Sequence, residues 1–163
     1  MSLSTERQLI VEVGDSLFAA AAAAVREVVE PLEATPVPGA VPEVLGLINL
    51  RGSVMLAAQL GRLLGLESQM NRESAFVVLE QGEGRLALQV DRLVDVADCS
   101  SSELDVDVDH LAALGARGVV VGVGRYGERP CFRLDIPRIF ERLLDPVTDH
   151  DATTDSSSTR RQV

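Results

Sequence analysis

The segment Gly46-Leu47-Ile48-Asn49-Leu50-Arg51-Gly52 sets one amide and one guanidinium among apolar residues, with a glycine at either end. Polar groups among buried neighbours cost free energy unless their donors and acceptors are used. Arg51 must therefore satisfy its donors on carbonyls inside the protein or present them at an interface, and the residue types alone leave both roles open. Other motifs weaken on inspection. Gly122-Val123-Gly124-Arg125-Tyr126-Gly127 matches the glycine spacing of a dinucleotide site. It leads through Glu128-Arg129-Pro130 into a strand-like run and not into a helix, so a glycine-rich hairpin is the better reading. Asp105, Asp107 and Asp109 begin like a calcium loop, but His110 stands where the turn needs Gly, and Ala116 where it needs a bidentate Glu. His110, His150, Cys99 and Cys131 lack metal-ligand spacing, so neither metal nor cofactor is expected. No nucleophile elbow is present and the carboxylates single out no acid/base pair, so the residues lend an enzymatic role no support and leave it open.

The balance of the chain narrows the classes further. It has 163 residues, 46% apolar, with a net charge of −10, four Phe, one Tyr and no Trp. All 15 basic residues are Arg, so no lysine Schiff base can form. An acidic, almost ring-free chain is a poor tracker of nucleic-acid phosphates. The longest apolar run, Leu17 to Val25, is far short of the roughly 20 residues that span a bilayer. Glu6 and Arg7 interrupt the stretch where a signal peptide would be apolar. These features predict a cytoplasmic globular protein without membrane insertion, and the two cysteines read as small core residues.

Many short elements have to position the Gly46–Gly52 segment. Arg7 to Val13 meets the turn pair Gly14-Asp15, and Ser16 restarts an apolar run, which predicts a hairpin. Ala19 to Ala24 favours helix by intrinsic propensity, whereas Val25 to Val29 favours strand. Pro31, Pro36, Pro38 and Pro42 mark a loop. Glu43 to Leu47 reads as one helical turn, followed by two short strands or one bent strand from Ile48 to Leu60, a short helix at Gly61 to Leu66, and a polar connector near Met70 that could divide two barrels. Ser74 to Leu79 and Arg85 to Val96 read as strands around a glycine turn, the second half-buried. Gly118 to Val123 and Pro130 to Ile136 predict another hairpin, and Pro137 to Leu144 an amphipathic helix. The sum is all-β, with a disordered polar tail over 146–163.

At the Gly46–Gly52 segment the chain resembles the CheW family, the coupling proteins of bacterial chemosensory arrays, whose hallmark is G-x-x-N-L-R-G. The resemblance covers about residues 6 to 145. It rests on the Gly14-Asp15 hairpin, Val25-Arg26-Glu27-Val28-Val29, Thr35-Pro36-x-Pro38, the hallmark, Val90 to Val96 and the closing apolar helix. It implies one unit over 1–145, built of two intertwined five-stranded, SH3-like barrels with short helices, in which Phe18 to Ala22 would be strand.

The resemblance also implies a non-catalytic adaptor joining the cytoplasmic tip of methyl-accepting chemoreceptors to the regulatory domain of a CheA-type histidine kinase. The receptor-facing residues carry over as Val25, Glu27, Val28, Asn49 and Arg51, with Gly46 and Gly52 allowing close backbone approach. Where the family continues with a Pro and then Asp-Leu, this chain has Leu56 and Gln59-Leu60. The resemblance places that departure in the first barrel, whose outer surface it implies takes part in kinase contacts, and this frames an alternative: a divergent member that binds receptors without recruiting kinase. An alternative of another class is a regulatory or ligand-binding β-barrel domain of an enzyme system.

Overall fold

The computed structural model describes residues 5–68, 70–100 and 118–144. The tail over 146–163, the calcium-like aspartates, His110 and His150 lie outside the described residues. The elements run β1 (Thr5–Val13), β2 (Ser16–Ala21), a 3-10 turn (Ala22–Ala24), β3 (Val25–Val29), β4 (Val44–Leu50), β5 (Ser53–Gln59), α1 (Leu60–Leu64), β6 (Ala75–Gln81), β7 (Gly84–Val90), β8 (Arg92–Ser100), β9 (Val120–Tyr126), β10 (Arg129–Leu134) and α2 (Ile136–Leu144). They make two five-stranded sheets, ordered β8-β1-β2-β10-β9 and β3-β6-β7-β5-β4. The all-β class and the intertwining follow directly: the chain opens one sheet, builds the whole of the other, and returns to finish the first.

Alternation of side chains along each strand divides the core into three parts. On β1, Leu9, Val11 and Val13 join the large core between the sheets, while Ile10 points into the first barrel with Leu17, Ala19 and Cys131. On β6, Ala75, Val77 and Leu79 join that shared core, while Phe76 and Val78 fill the second barrel with Ile48, Leu50, Met55, Ala57 and Ala87. Helix α2 lays Ile139, Phe140 and Leu143 on the shared core.

Several sequence expectations change here. The predicted helical turn at Glu43 to Leu47 is instead the start of β4, whose ladder with β5 runs from Val44↔Ala58 to Leu50↔Ser53. The single strand expected from Arg85 to Val96 breaks at Asp91, and its halves enter different sheets. Asp91 anchors the crossing: its N–H donates to the Glu12 carbonyl (3.0 Å), and its carboxylate accepts the Gly14 N–H (2.8 Å) and the Ser68 hydroxyl. β7 is buried on both faces, not half-buried, because both a barrel and the shared core cover it.

The alanine run is neither helix nor one strand. Ala19 and Ala20 are buried in β2, and one 3-10 turn then carries the chain into the other sheet. The connector near Met70 divides nothing, since both α1, which follows β5, and β6 belong to the second-sheet side of the chain.

Polar pairs tie the outer strands. Glu12 on β1 accepts from Arg92 on β8 (2.9 Å) and from Arg129 at β10 (3.4 Å), and the Arg92 hydrogen bond holds its carboxyl below the usual range. Tyr126 on β9 donates to Asp95 on β8 (2.7 Å), joining the two edges of the first sheet.

A core shared between sheets predicts one unfolding transition. Phe76→Ala, within the second barrel, should cost about 3–5 kcal/mol in denaturant unfolding. Fluorescence of Tyr126, the only tyrosine and a reporter of the first sheet, should shift together with far-UV circular dichroism. Separate midpoints would mean the sheets fold independently.

Candidate functional site

The Gly46–Gly52 segment forms most of β4 and the turn that follows it. Leu50 pairs with Ser53, so Arg51 and Gly52 are the two central residues of a tight hairpin. Their φ angles are 52° and 88°, the positive values of a type I′ turn. Gly52 adopts this region freely. Arg51 is the only non-glycine residue with positive φ among the described residues, a conformation that costs on the order of 1 kcal/mol. Asn49 supports the turn, its side-chain oxygen accepting the Gly52 N–H at 2.8 Å. Leu50 and Ile48 are buried in the second barrel. Gly46 has a φ of 143°, and a Cβ there would stand 2.2 Å from the Thr35 carbonyl oxygen. Thr35 and Leu47 exchange backbone hydrogen bonds at 2.8 and 2.9 Å, so the proline loop lies against β4 where no side chain fits.

The turn projects Arg51 toward β3. Its Nη2 donates to both carboxylate oxygens of Glu27, each at 2.6 Å. β3 and β4 are the two edges of the second sheet, so this pair crosses the gap that backbone ladders leave open. The Arg51 side chain is 66% exposed and that of Glu27 29%, so the pair contributes at most about 1 kcal/mol.

Beside it opens a cleft of about 180 Å³ lined by Arg26, Glu27, Leu50, Arg51, Ser53, Met55, Val78 and Arg85. All five strands or their turns contribute, which makes it the mouth of the second barrel. Leu50, Met55 and Val78 are its apolar floor. Arg26 Nη1 and Arg85 Nε donate to the two oxygens of Glu80 at 3.3 and 3.2 Å, and the Arg85 hydrogen bond holds the Glu80 carboxyl below its usual range.

The structure brings together Glu27 and Arg51 but separates the other expected residues. Val25 and Val28 are half-buried and pack against the shared core, outside the cleft lining. Asn49 is engaged within the turn; Gly46 admits the expected close backbone approach, at Thr35, whereas a Cβ at Gly52 would meet nothing within 4 Å and that glycine serves the turn through its positive φ instead.

Arg26, Arg85 and Ser53 were missed. Arg85 carried a usable signal, because it sits directly across from Glu80 beside the Gly82-Glu83 turn. Arg26 carried none: β3 pairs Val25 with Leu79 and Glu27 with Val78, so Arg26 is the extra residue of a bulge. The bulge lets consecutive residues line one cleft, which alternation forbids.

Leu56 and Gln59, assigned from sequence to the first barrel, lie on β5 in the second sheet. Leu56 packs against the shared core and Gln59 is buried, so these departures face inward. Among the described residues no helix is long and apolar enough to cross a membrane, and no group of His, Cys, Asp and Glu is placed to hold a metal ion.

Comparison with known proteins bears on this geometry. Residues 7–144 match the family model described as CheW-like domain. The chain is 34% identical to a chemotaxis protein CheW of Rhizobium meliloti over 125 residues, 73% of this chain and 80% of that one. It is 27% identical to a chemotaxis protein CheW of Treponema pallidum over 147 residues, 86% of each. A crystal structure of scaffolding protein TtCheW from Thermoanaerobacter tengcongensis superposes with a TM-score of 0.72 at 17% identity, covering 82% of this chain and 86% of that one, which supports the fold.

The local geometry predicts unequal effects along the segment. Gly46→Ala should lose more than about 2 kcal/mol, because the new methyl meets a backbone carbonyl. Asn49→Ala should cost about 1 kcal/mol, one turn hydrogen bond. Arg51→Gly should leave stability nearly unchanged, since relief of the positive φ offsets the lost ion pair. Urea midpoints of the three variants check the ranking, and a large loss for Arg51→Gly would show that the clamp is a main support of the barrel.

Proposed function

The chain belongs to the CheW-like domain family, and from that membership we propose that it is a non-catalytic adaptor of a bacterial chemosensory array, working in the cytoplasm. In this reading it holds the cytoplasmic tip of a methyl-accepting chemoreceptor and the regulatory domain of a CheA-type histidine kinase in fixed register. The observation that carries the proposal is the intact hallmark within a family match that spans nearly all of the described chain. Leu56 and Gln59 pack inward, which favours retained kinase recruitment over the alternative of a divergent form that binds receptors alone.

Receptor contact is assigned to the rim around Arg51 and Glu27, with Asn49 setting the turn and Val25 and Val28 setting the position of β3. Arg51 is held by one nitrogen, while its Nε and Nη1 make no hydrogen bond among the described residues. A guanidinium already oriented by Glu27 loses less rotamer freedom on meeting a partner than a free one would. Coupling then needs only that the adaptor be rigid. Two partners held on one body influence each other through whatever geometry that body imposes, and their binding is linked reciprocally.

Arg51→Ala should stay folded and weaken binding to a receptor tip fragment about tenfold, the loss of one charge-assisted hydrogen bond. The parent protein should bind the kinase regulatory domain and place phosphorylation under receptor control. Binding of neither partner at micromolar concentrations would overturn the adaptor reading, and unchanged receptor affinity in Arg51→Ala would move the contact elsewhere.

A further inference from the structure

The geometry points to a carboxylate-binding pocket at the mouth of the second barrel, in which Arg26, Arg51 and Arg85 receive one Asp or Glu side chain from the receptor tip. The inference rests on the adaptor reading and extends it to the partner's chemistry.

Three guanidiniums and one carboxylate, that of Glu27, line the cleft. Glu80 lies outside the lining and accepts from Arg26 and Arg85. Counting Glu80, the local sum is one positive charge on a chain whose net charge is −10. Each arginine keeps unused donors: Glu80 takes one nitrogen each from Arg26 and Arg85, and Glu27 takes one from Arg51. Ser53 also lines the cleft.

Size and charge agree on the occupant. A cleft of about 180 Å³ holds a side-chain head and not a folded element. One excess positive charge matches a single carboxylate. Leu50, Met55 and Val78 close the inner end of the cleft, so an entering carboxylate meets the guanidiniums at the rim.

The bulge at Arg26 is the structural device that builds the pocket. In a regular strand Arg26 and Glu27 would point to opposite faces, and the cleft would lose one of its three cations. With the bulge, β3 supplies both the carboxylate that orients Arg51 and a guanidinium of its own.

A purely structural role for these groups predicts a different outcome in one experiment. Affinity of the full chain for a receptor cytoplasmic-tip fragment is measured by titration calorimetry at low and physiological salt, with folding of each variant checked by circular dichroism. Arg26→Ala and Arg85→Ala should each weaken binding about threefold or more, an effect that shrinks as salt rises. Glu80→Gln should strengthen binding, because it frees two guanidiniums and raises the local charge. If the arginines serve only as a brace, Glu80→Gln weakens binding together with the arginine variants, and the pocket is overturned. Unchanged affinity in all three variants also overturns it while leaving the adaptor reading intact. Failure of the parent chain to bind the fragment overturns both.

Discussion

A five-stranded sheet curled on itself has two edge strands that no backbone ladder joins, and in each sheet of this protein a polar pair of the described residues crosses that gap. In the first sheet the Tyr126 hydroxyl on β9 reaches Asp95 on β8. In the second, Arg51 after β4 reaches Glu27 on β3. Unpaired edges invite association with other chains, and charged groups placed on them restrain that tendency. The two solutions differ in consequence. The Tyr126 hydroxyl spends its one donor on Asp95, whereas Arg51 retains donors and stands at the mouth of a barrel. The gap bridged for architecture is thus also the place to which the proposed receptor contact is assigned.

What makes the rest of the molecule a suitable mount is the shared core. Strands β1, β2, β6 and β7 are covered on both faces, by a barrel interior on one side and by the opposite sheet on the other. Neither barrel has a complete core alone: four buried residues fill the first, of which two are Ala19 and Cys131. The larger apolar store lies between them, where Phe18 and Phe132 pack with ring centroids 5.8 Å apart. Close-packed interiors of this kind transmit displacement with little compression. The adaptor role proposed above, in which two partners are held in register, would draw on that stiffness more than on any reactive group.

The hallmark segment shows how compactly sequence can encode a site. Gly46 admits the proline loop, Asn49 fastens the turn, Leu50 roots it in the barrel, Gly52 closes it, and Arg51 is held in an unfavourable backbone conformation at its tip. Strained backbone at such a point is over-determined by its surroundings. Here the surroundings are the neighbours that the hallmark itself specifies, so the direction of the guanidinium is set before any partner arrives.

The all-β class, the hairpins at Gly14-Asp15, at Gly82-Glu83 and ahead of Pro130, the closing helix and the need of the Arg51 guanidinium for a partner were legible in the residues. Each rests on local rules: alternation, turn glycines, helical spacing, and the cost of a polar group among apolar ones. The misreadings share a cause as well. Glu43 to Leu47 became strand because β5 offered a ladder, and Arg85 to Val96 was divided because Asp91 binds Glu12 and Gly14 from a distant part of the chain. The alanine run turns between sheets because β2 and β3 on either side of it pair in different sheets. Arg26 joined the cleft only through a bulge that exists by virtue of pairing with β6. Sequence by itself determined the local preferences and the hallmark turn, since those depend on neighbours a few residues away. Only the tertiary structure decided sheet membership, double-sided burial and the arginine cleft, because these are set by hydrogen bonds and packing between residues that become neighbours only when the chain has folded.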